Sequence, residues 1–100
     1  MEFVASTPLG FQVRVTKAYW NLITTIKHPA MKGRKFAVKA TLETPDEVRR
    51  SRSDREVYLF YRLEQTGCWI CAVAKRTNGK GFLITAYFTD AIKEGERIWP

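Results

Sequence analysis

One hundred residues, 45% of them hydrophobic and 13% aromatic, suffice for one modest core and are too few for two. That composition argues against a disordered chain, and 17 Lys and Arg against 10 Asp and Glu, a net charge of +7, turns it toward an anionic partner, nucleic acid first among them. No apolar run approaches the roughly 18 residues of a spanning helix, and Met1 to Leu9 has neither a basic start nor a continuous apolar segment, so the expectation is a soluble, intracellular protein without a membrane partner.

Residues 1–10 mix Ser, Thr, Pro and Gly and read as an extended leader, with one domain over residues 11–100. Phe11, Val13 and Val15 alternate with polar neighbours, the period of a short strand. Thr16 can cap the next segment, where Tyr19, Leu22, Ile23 and Ile26 recur at helical spacing from Lys17 to Lys27, flanked by Trp20. Pro29 ends that helix at His28. A second helix is predicted over about Arg34 to Glu43, with Val38 and Leu42 on its buried stripe, Phe36 and Ala40 widening it, and Pro45 closing it.

Strand signals follow. Glu47 to Arg50 reads as a short strand. Val57 to Leu63, Cys68 to Lys75 and Phe82 to Thr89 are longer ones joined by turns at Thr66-Gly67 and Asn78-Gly79-Lys80-Gly81. Asp90 can cap a last turn over Ala91 to Glu94, and Ile98 and Trp99 fold back onto the core. The predicted fold class is α+β, two N-terminal helices packed on one face of a four-stranded antiparallel meander.

Cys68 and Cys71 have C-x-x-C spacing, yet strand alternation points them to opposite faces. No second Cys/His pair completes a zinc site, and no helix N-terminus follows to acidify a thiol. They read as two reduced, packed thiols in a reducing cytoplasm. Acids at Asp46-Glu47, Asp54-Glu56 and Glu94-Glu96 fall in charge-balanced loops, and no nucleotide-binding glycine motif or nucleophile elbow occurs. No metal and no cofactor is expected.

Between Pro45 and Arg62, four arginines (Arg49, Arg50, Arg52 and Arg55) interleave with Ser51 and Ser53 and lead into an aromatic strand. Guanidiniums so crowded repel one another, and each can fork onto phosphate oxygens; the competing reading is a solvated loop paired with Asp46, Glu47, Asp54 and Glu56. His28, the only histidine, sits where a helix stops, exposed enough to exchange protons near neutrality. Thr85 and Tyr87 share one face of the last strong strand, and such hydroxyls need partners if buried. A base, a phosphate-binding cation and an acid suffice to cleave RNA through its own 2′-hydroxyl without a metal.

The order of these signals resembles the phage-type nucleases of the barnase, EndoU, colicin-tRNase and RelE superfamily: helix then His28-Pro29, second helix, T-L-x-x-P-D-E-V at Thr41 to Val48, Ser51, Tyr61, and I-T-A-Y-F-T-D at Ile84 to Asp90. The resemblance spans about Val13 to Trp99. It implies the two-helix, four-stranded fold and a metal-independent endoribonuclease, commonly the toxin of a toxin-antitoxin pair. His28, Thr85 and Tyr87 match the family's site, and Arg49, Arg50 and Arg52 compete for its arginine. The candidate catalytic set is thus His28, Arg49, Arg52, Tyr61, Thr85 and Tyr87, with Arg50, Ser51, Arg55, Arg62, Lys75 and Arg76 as RNA contacts. RNA and a cognate antitoxin are the expected partners; a non-catalytic RNA-binding module and a domain that docks an acidic protein are the alternatives.

Overall fold

The computed structural model describes residues 1–100. Seven strands form a single mixed sheet: β1 (Phe3–Ser6), β2 (Gln12–Val15), β3 (Glu47–Arg50), β4 (Val57–Gln65), β5 (Cys68–Thr77), β6 (Lys80–Thr89) and β7 (Glu96–Trp99). Their spatial order is β1-β2-β6-β5-β4-β3-β7, antiparallel throughout except for the parallel contact of β2 with β6. Helix α1 (Lys17–Leu22) runs on as a π-helical turn, Ile23–Lys27, and a 3-10 turn, Pro29–Met31, leads to α2 (Lys35–Glu43). None of these helices is long and apolar enough to cross a membrane.

Two short helices on a seven-stranded mixed sheet replace the expected pair of helices on four antiparallel strands. The difference lies at the two ends of the chain. In the supposed leader, Phe3 and Ala5 are buried and β1 pairs antiparallel with β2. Thr7, Pro8 and Gly10 lie in the connection between these two strands, and its turn chemistry masks the short apolar alternation before it. At the other end, β7 pairs with β3, Arg49 opposite Arg97 and Arg50 opposite Glu96. Such an edge strand is rich in charge, as exposed edges are, and carries little periodic signal. The parallel pairing of Val13 with Gly81 joins residues far apart in sequence. The expected last turn over Ala91 to Glu94 is not helical either.

The first helix starts as expected, Thr16 Oγ1 accepting from the Tyr19 amide at 3.1 Å. It then widens: the His28 amide donates to Ile23 O at 2.7 Å, five residues back. Thr24 and Thr25 lie in this turn, and their hydroxyls donate to Trp20 O and Asn21 O, competing for carbonyls of the helical ladder. The buried stripe runs through Trp20, Ile23 and Thr24, and Ile26, beyond the widened turn, is 73% exposed. On α2, Val38 and Leu42 are fully buried as their spacing predicts, whereas Phe36 is 79% exposed.

Against the helices, the sheet presents Phe60, Ile70, Ala72, Ala74, Leu83 and Ala86, all buried with Val38, Leu42 and Met31 in one apolar cluster. Eighteen buried residues at roughly 1.5–3 kcal/mol for each large side chain supply the main stabilisation of the fold. The hairpin from β5 to β6 turns at Asn78 and Gly79, with φ of 53° and 80°, the left-handed pair that matches strand twist.

Candidate functional site

Strand alternation fixes what the opposite, helix-free face carries. Tyr61 pairs with Cys71 and Cys71 with Tyr87, while Leu59 pairs with Val73 and Val73 with Thr85. Six side chains from three adjacent strands therefore share that face. Leu59, Tyr61 and Cys71 are buried there in a small cluster of their own, with Val73, Tyr87 and Ile92 packed against it. Ile92 comes from the irregular segment between β6 and β7, which crosses this face.

Burial is the main influence on the three ionisable groups of the cluster. It pushes the Cys71 thiol up to about 11, against hydrogen bonding to the Tyr87 and Tyr61 hydroxyls, which lowers it. Both tyrosines are raised well above the usual phenol range, first by burial, then by Cys71, with Glu94 adding to each. Tyr61 and Tyr87 therefore keep their protons and serve as hydrogen-bond donors, not as bases. Thr85 Oγ1 is buried on the same face without a partner in the protein, an arrangement that costs roughly 1–3 kcal/mol where no acceptor arrives.

Beside this cluster opens a cleft of about 380 Å³, lined by Ser51, Arg52, Ser53, Val57, Leu59, Val73, Tyr87, Glu94 and Gly95. Its rim is organised by one carbonyl. Gly95 O accepts from Arg49 Nη1 at 3.2 Å and from Arg52 Nη2 at 3.3 Å. Gly95 has φ of +79°, and a Cβ on it would lie 2.5 Å from Arg50 O, so only glycine lets the segment pass this close to β3. His28 reaches the site from the side. The end of α1 lies along the part of β6 that β2 leaves uncovered, where Tyr19 OH donates to Ile84 O at 2.8 Å. The His28 ring there packs on Tyr87 at 5.3 Å between centroids.

The predicted catalytic residues divide accordingly. His28, Thr85, Tyr87 and Arg52 gather around the cleft and its β6 wall. Tyr61 is 2% exposed, lies behind the cleft and meets the site through its hydrogen bond with Cys71. Arg49 is on the right face, but its Nε donates to Glu47 Oε2 at 2.6 Å and its Nη1 to Gly95, so its guanidinium is committed to holding β3 and the crossing segment together.

Among the predicted RNA contacts, Ser51 lines the cleft and its Oγ accepts from the amides of Ser53 and Asp54, shaping the turn. Arg55 is exposed in that turn. Lys75 lies on the helix-free face in a 3.3 Å ion pair with Asp54, whose carboxyl is held below its ordinary value by the Glu56 amide and then by Lys75. Three others fall away from the site. Arg50 Nη2 donates to Tyr58 OH at 3.0 Å, on the helix side of β3. Arg62 donates to Thr44 Oγ1 and Ala40 O, capping the end of α2. Arg76 stacks on Phe11 at 5.0 Å. Alternation explains the division of the arginine run: Arg49 and Arg50 are adjacent in a strand and must face opposite ways.

Two members of the site escaped the sequence reading. In the sequence Glu94 falls with Glu96 among loop charges, and only the crossing of the sheet by residues 90–95 brings it beside Tyr87. Cys71 has the sequence signature of a packed thiol, and the signal that joins it to the site is its strand pairing with Tyr61 and Tyr87. No three His, Cys, Asp or Glu side chains converge on a common metal position. Compared with family models, with curated proteins and with solved structures, the chain matches none.

Proposed function

We propose that the protein is a metal-independent endoribonuclease that cleaves RNA by transesterification through the 2′-hydroxyl. The observation that carries this reading is the convergence on Tyr87, which packs at a tilt against His28 and lines the cleft with Arg52 and Glu94. Those are the parts the reaction needs. The Glu94 carboxylate takes the 2′-hydroxyl proton as the 2′-oxygen bonds to phosphorus. The bond from phosphorus to the 5′-oxygen breaks, and the His28 imidazolium supplies the proton that the departing oxygen takes. A 2′,3′-cyclic phosphate and a 5′-hydroxyl result. Arg52, with most of its donors uncommitted, and the neutral hydroxyl of Tyr87 receive the charge that grows on the non-bridging oxygens. Tyr61 acts as a positioning residue, holding Tyr87 through Cys71.

The resemblance of His28, Thr85 and Tyr87 to the barnase-to-RelE superfamily points the same way and extends the proposal to a cytoplasmic toxin with a cognate antitoxin. The test is incubation of the purified protein with RNA in EDTA. The expected products carry 2′,3′-cyclic ends, and His28→Ala and Glu94→Gln each lose roughly 100- to 10,000-fold in rate while melting like the wild type. A substrate whose leaving group is p-nitrophenolate, which needs no proton, separates the roles: it restores turnover to His28→Ala and not to Glu94→Gln. RNA left intact by the wild type, or cut with equal speed by His28→Ala, sinks the mechanism.

A further inference from the structure

A second cleft, of about 230 Å³, opens where β2 ends and α1 begins, on the same strand that carries Thr85 and Tyr87. It is lined by Arg14, Val15, Thr16, Tyr19, Phe82 and Leu83, of which Leu83 keeps its side chain in the core at 1% exposure. We propose that it is a subsite for one unpaired base of a single-stranded RNA, an inference that rests on the ribonuclease reading for the identity of its ligand.

Four observations converge. Phe82 is 47% exposed although it sits within a strand, so a π-face stands open to solvent on the helix-free side. Arg14 pairs with Phe82 across the parallel β2 and β6 register, which puts both on one face. Unlike Arg49, Arg62 and Lys75, its guanidinium has no acceptor within the fold and is free for a phosphate. Tyr19 is already fixed, its hydroxyl donating to Ile84 O at 2.8 Å and accepting from Lys27 Nζ at 2.8 Å, so closing on a base costs little further order.

Position and size agree with that occupant. At about 3.3 Å per residue, Phe82 lies roughly 10 Å along β6 from Thr85, and Lys27 stands at the intervening edge, donating to Ile84 O at 3.1 Å. A strand laid along β6 would thus meet, in order, an aromatic platform, a cation, and the hydroxyls beside His28. The cleft is smaller than the ~300–1,000 Å³ typical of whole-ligand pockets, which suits a single ring system better than a folded nucleotide. Stacking on an aromatic face is indifferent to sequence, and the bases must be unpaired to offer it.

The test uses labelled 2′-deoxy hexanucleotides, which lack the internal nucleophile and stay intact, each with one abasic position, titrated by fluorescence anisotropy. In the wild type one abasic position weakens binding by roughly 5- to 100-fold. In Phe82→Ala that penalty disappears, and in Phe82→Tyr, which keeps the ring, it returns; circular dichroism confirms the fold of each. The subsite is overturned if no position carries a penalty, if the penalty is undiminished in Phe82→Ala, or if none of the oligonucleotides binds. Because nothing is cut in this assay, absence of cleavage in the RNA digestion would sink the catalytic reading and leave this one standing.

Discussion

The two faces of the sheet are built from alternate residues of the same strands, and they are buried by different means. Toward the helices, Tyr58 and Phe60 of β4 join an 18-residue apolar cluster. Toward the other side, Leu59 and Tyr61 are as well buried, at 5% and 2%, yet their cover is one irregular segment and their neighbours include the Cys71 thiol and the Tyr87 phenol. One face supplies the stability of the domain. The other uses that rigid support to hold polar groups out of water, where their interactions are stronger and their protons harder to remove.

The sharpest way to break this comparison is to mutate neighbours on opposite faces. Phe60→Ala should cost about 3–5 kcal/mol, read as a fall in the denaturant midpoint with an unchanged slope. Tyr61→Phe, one residue away, removes only a hydroxyl and should cost no more than about 1.5 kcal/mol, while slowing RNA cleavage more than its stability loss explains. Equal destabilisation by the two would mean that the helix-free face is a second structural core.

A smaller effect tests the cover itself. Gly95→Ala puts a Cβ 2.5 Å from Arg50 O at a φ of +79°, so the segment must retreat from β3. The expected loss is about 1–3 kcal/mol. Gly95 O would no longer hold Arg49 and Arg52 together, and cleavage should slow through a higher KM and a lower kcat. A variant as stable and active as the wild type would show that this carbonyl organises nothing.

What the sequence shows of this molecule follows from how local each cause is. Alternation in Val57 to Leu63 and in Phe82 to Thr89 assigns Tyr61, Thr85 and Tyr87 to faces from neighbouring residues alone, and the Asn78-Gly79 turn is written in two residues. His28 at a helix end is equally local, because Pro29 makes it so. The sheet's extent is not local: β1 and β7 are four-residue edge strands whose partners lie in other segments, and the parallel contact of β2 with β6 spans most of the chain. Glu94 joins the site for the same reason. It belongs to a segment with no periodicity, placed by Gly95 against β3 and by Ile92 against the second cluster.

The smallest effect separates the faces by pH. Cys71 binds its proton more tightly in the folded protein, at about 11 against an ordinary 9.0, chiefly through burial. A group whose folded value is raised contributes stability that is complete below the unfolded value and is lost as the pH climbs toward the folded one. For Cys71 that window is pH 9 to 11. About 1 kcal/mol of its share should vanish between pH 8 and pH 10, seen as a falling denaturant midpoint. Tyr61 and Tyr87, raised for the same first cause, steepen the decline at higher pH. Cys71→Ala should be less stable than the wild type at pH 8 and lose less on going to pH 10, whereas Ala72→Gly, on the helix side, should lower stability at both values and leave the slope as it was. An identical slope in Cys71→Ala would mean that the thiol is not held protonated by the fold, and the case for a dry, proton-retaining face around Tyr87 would go with it.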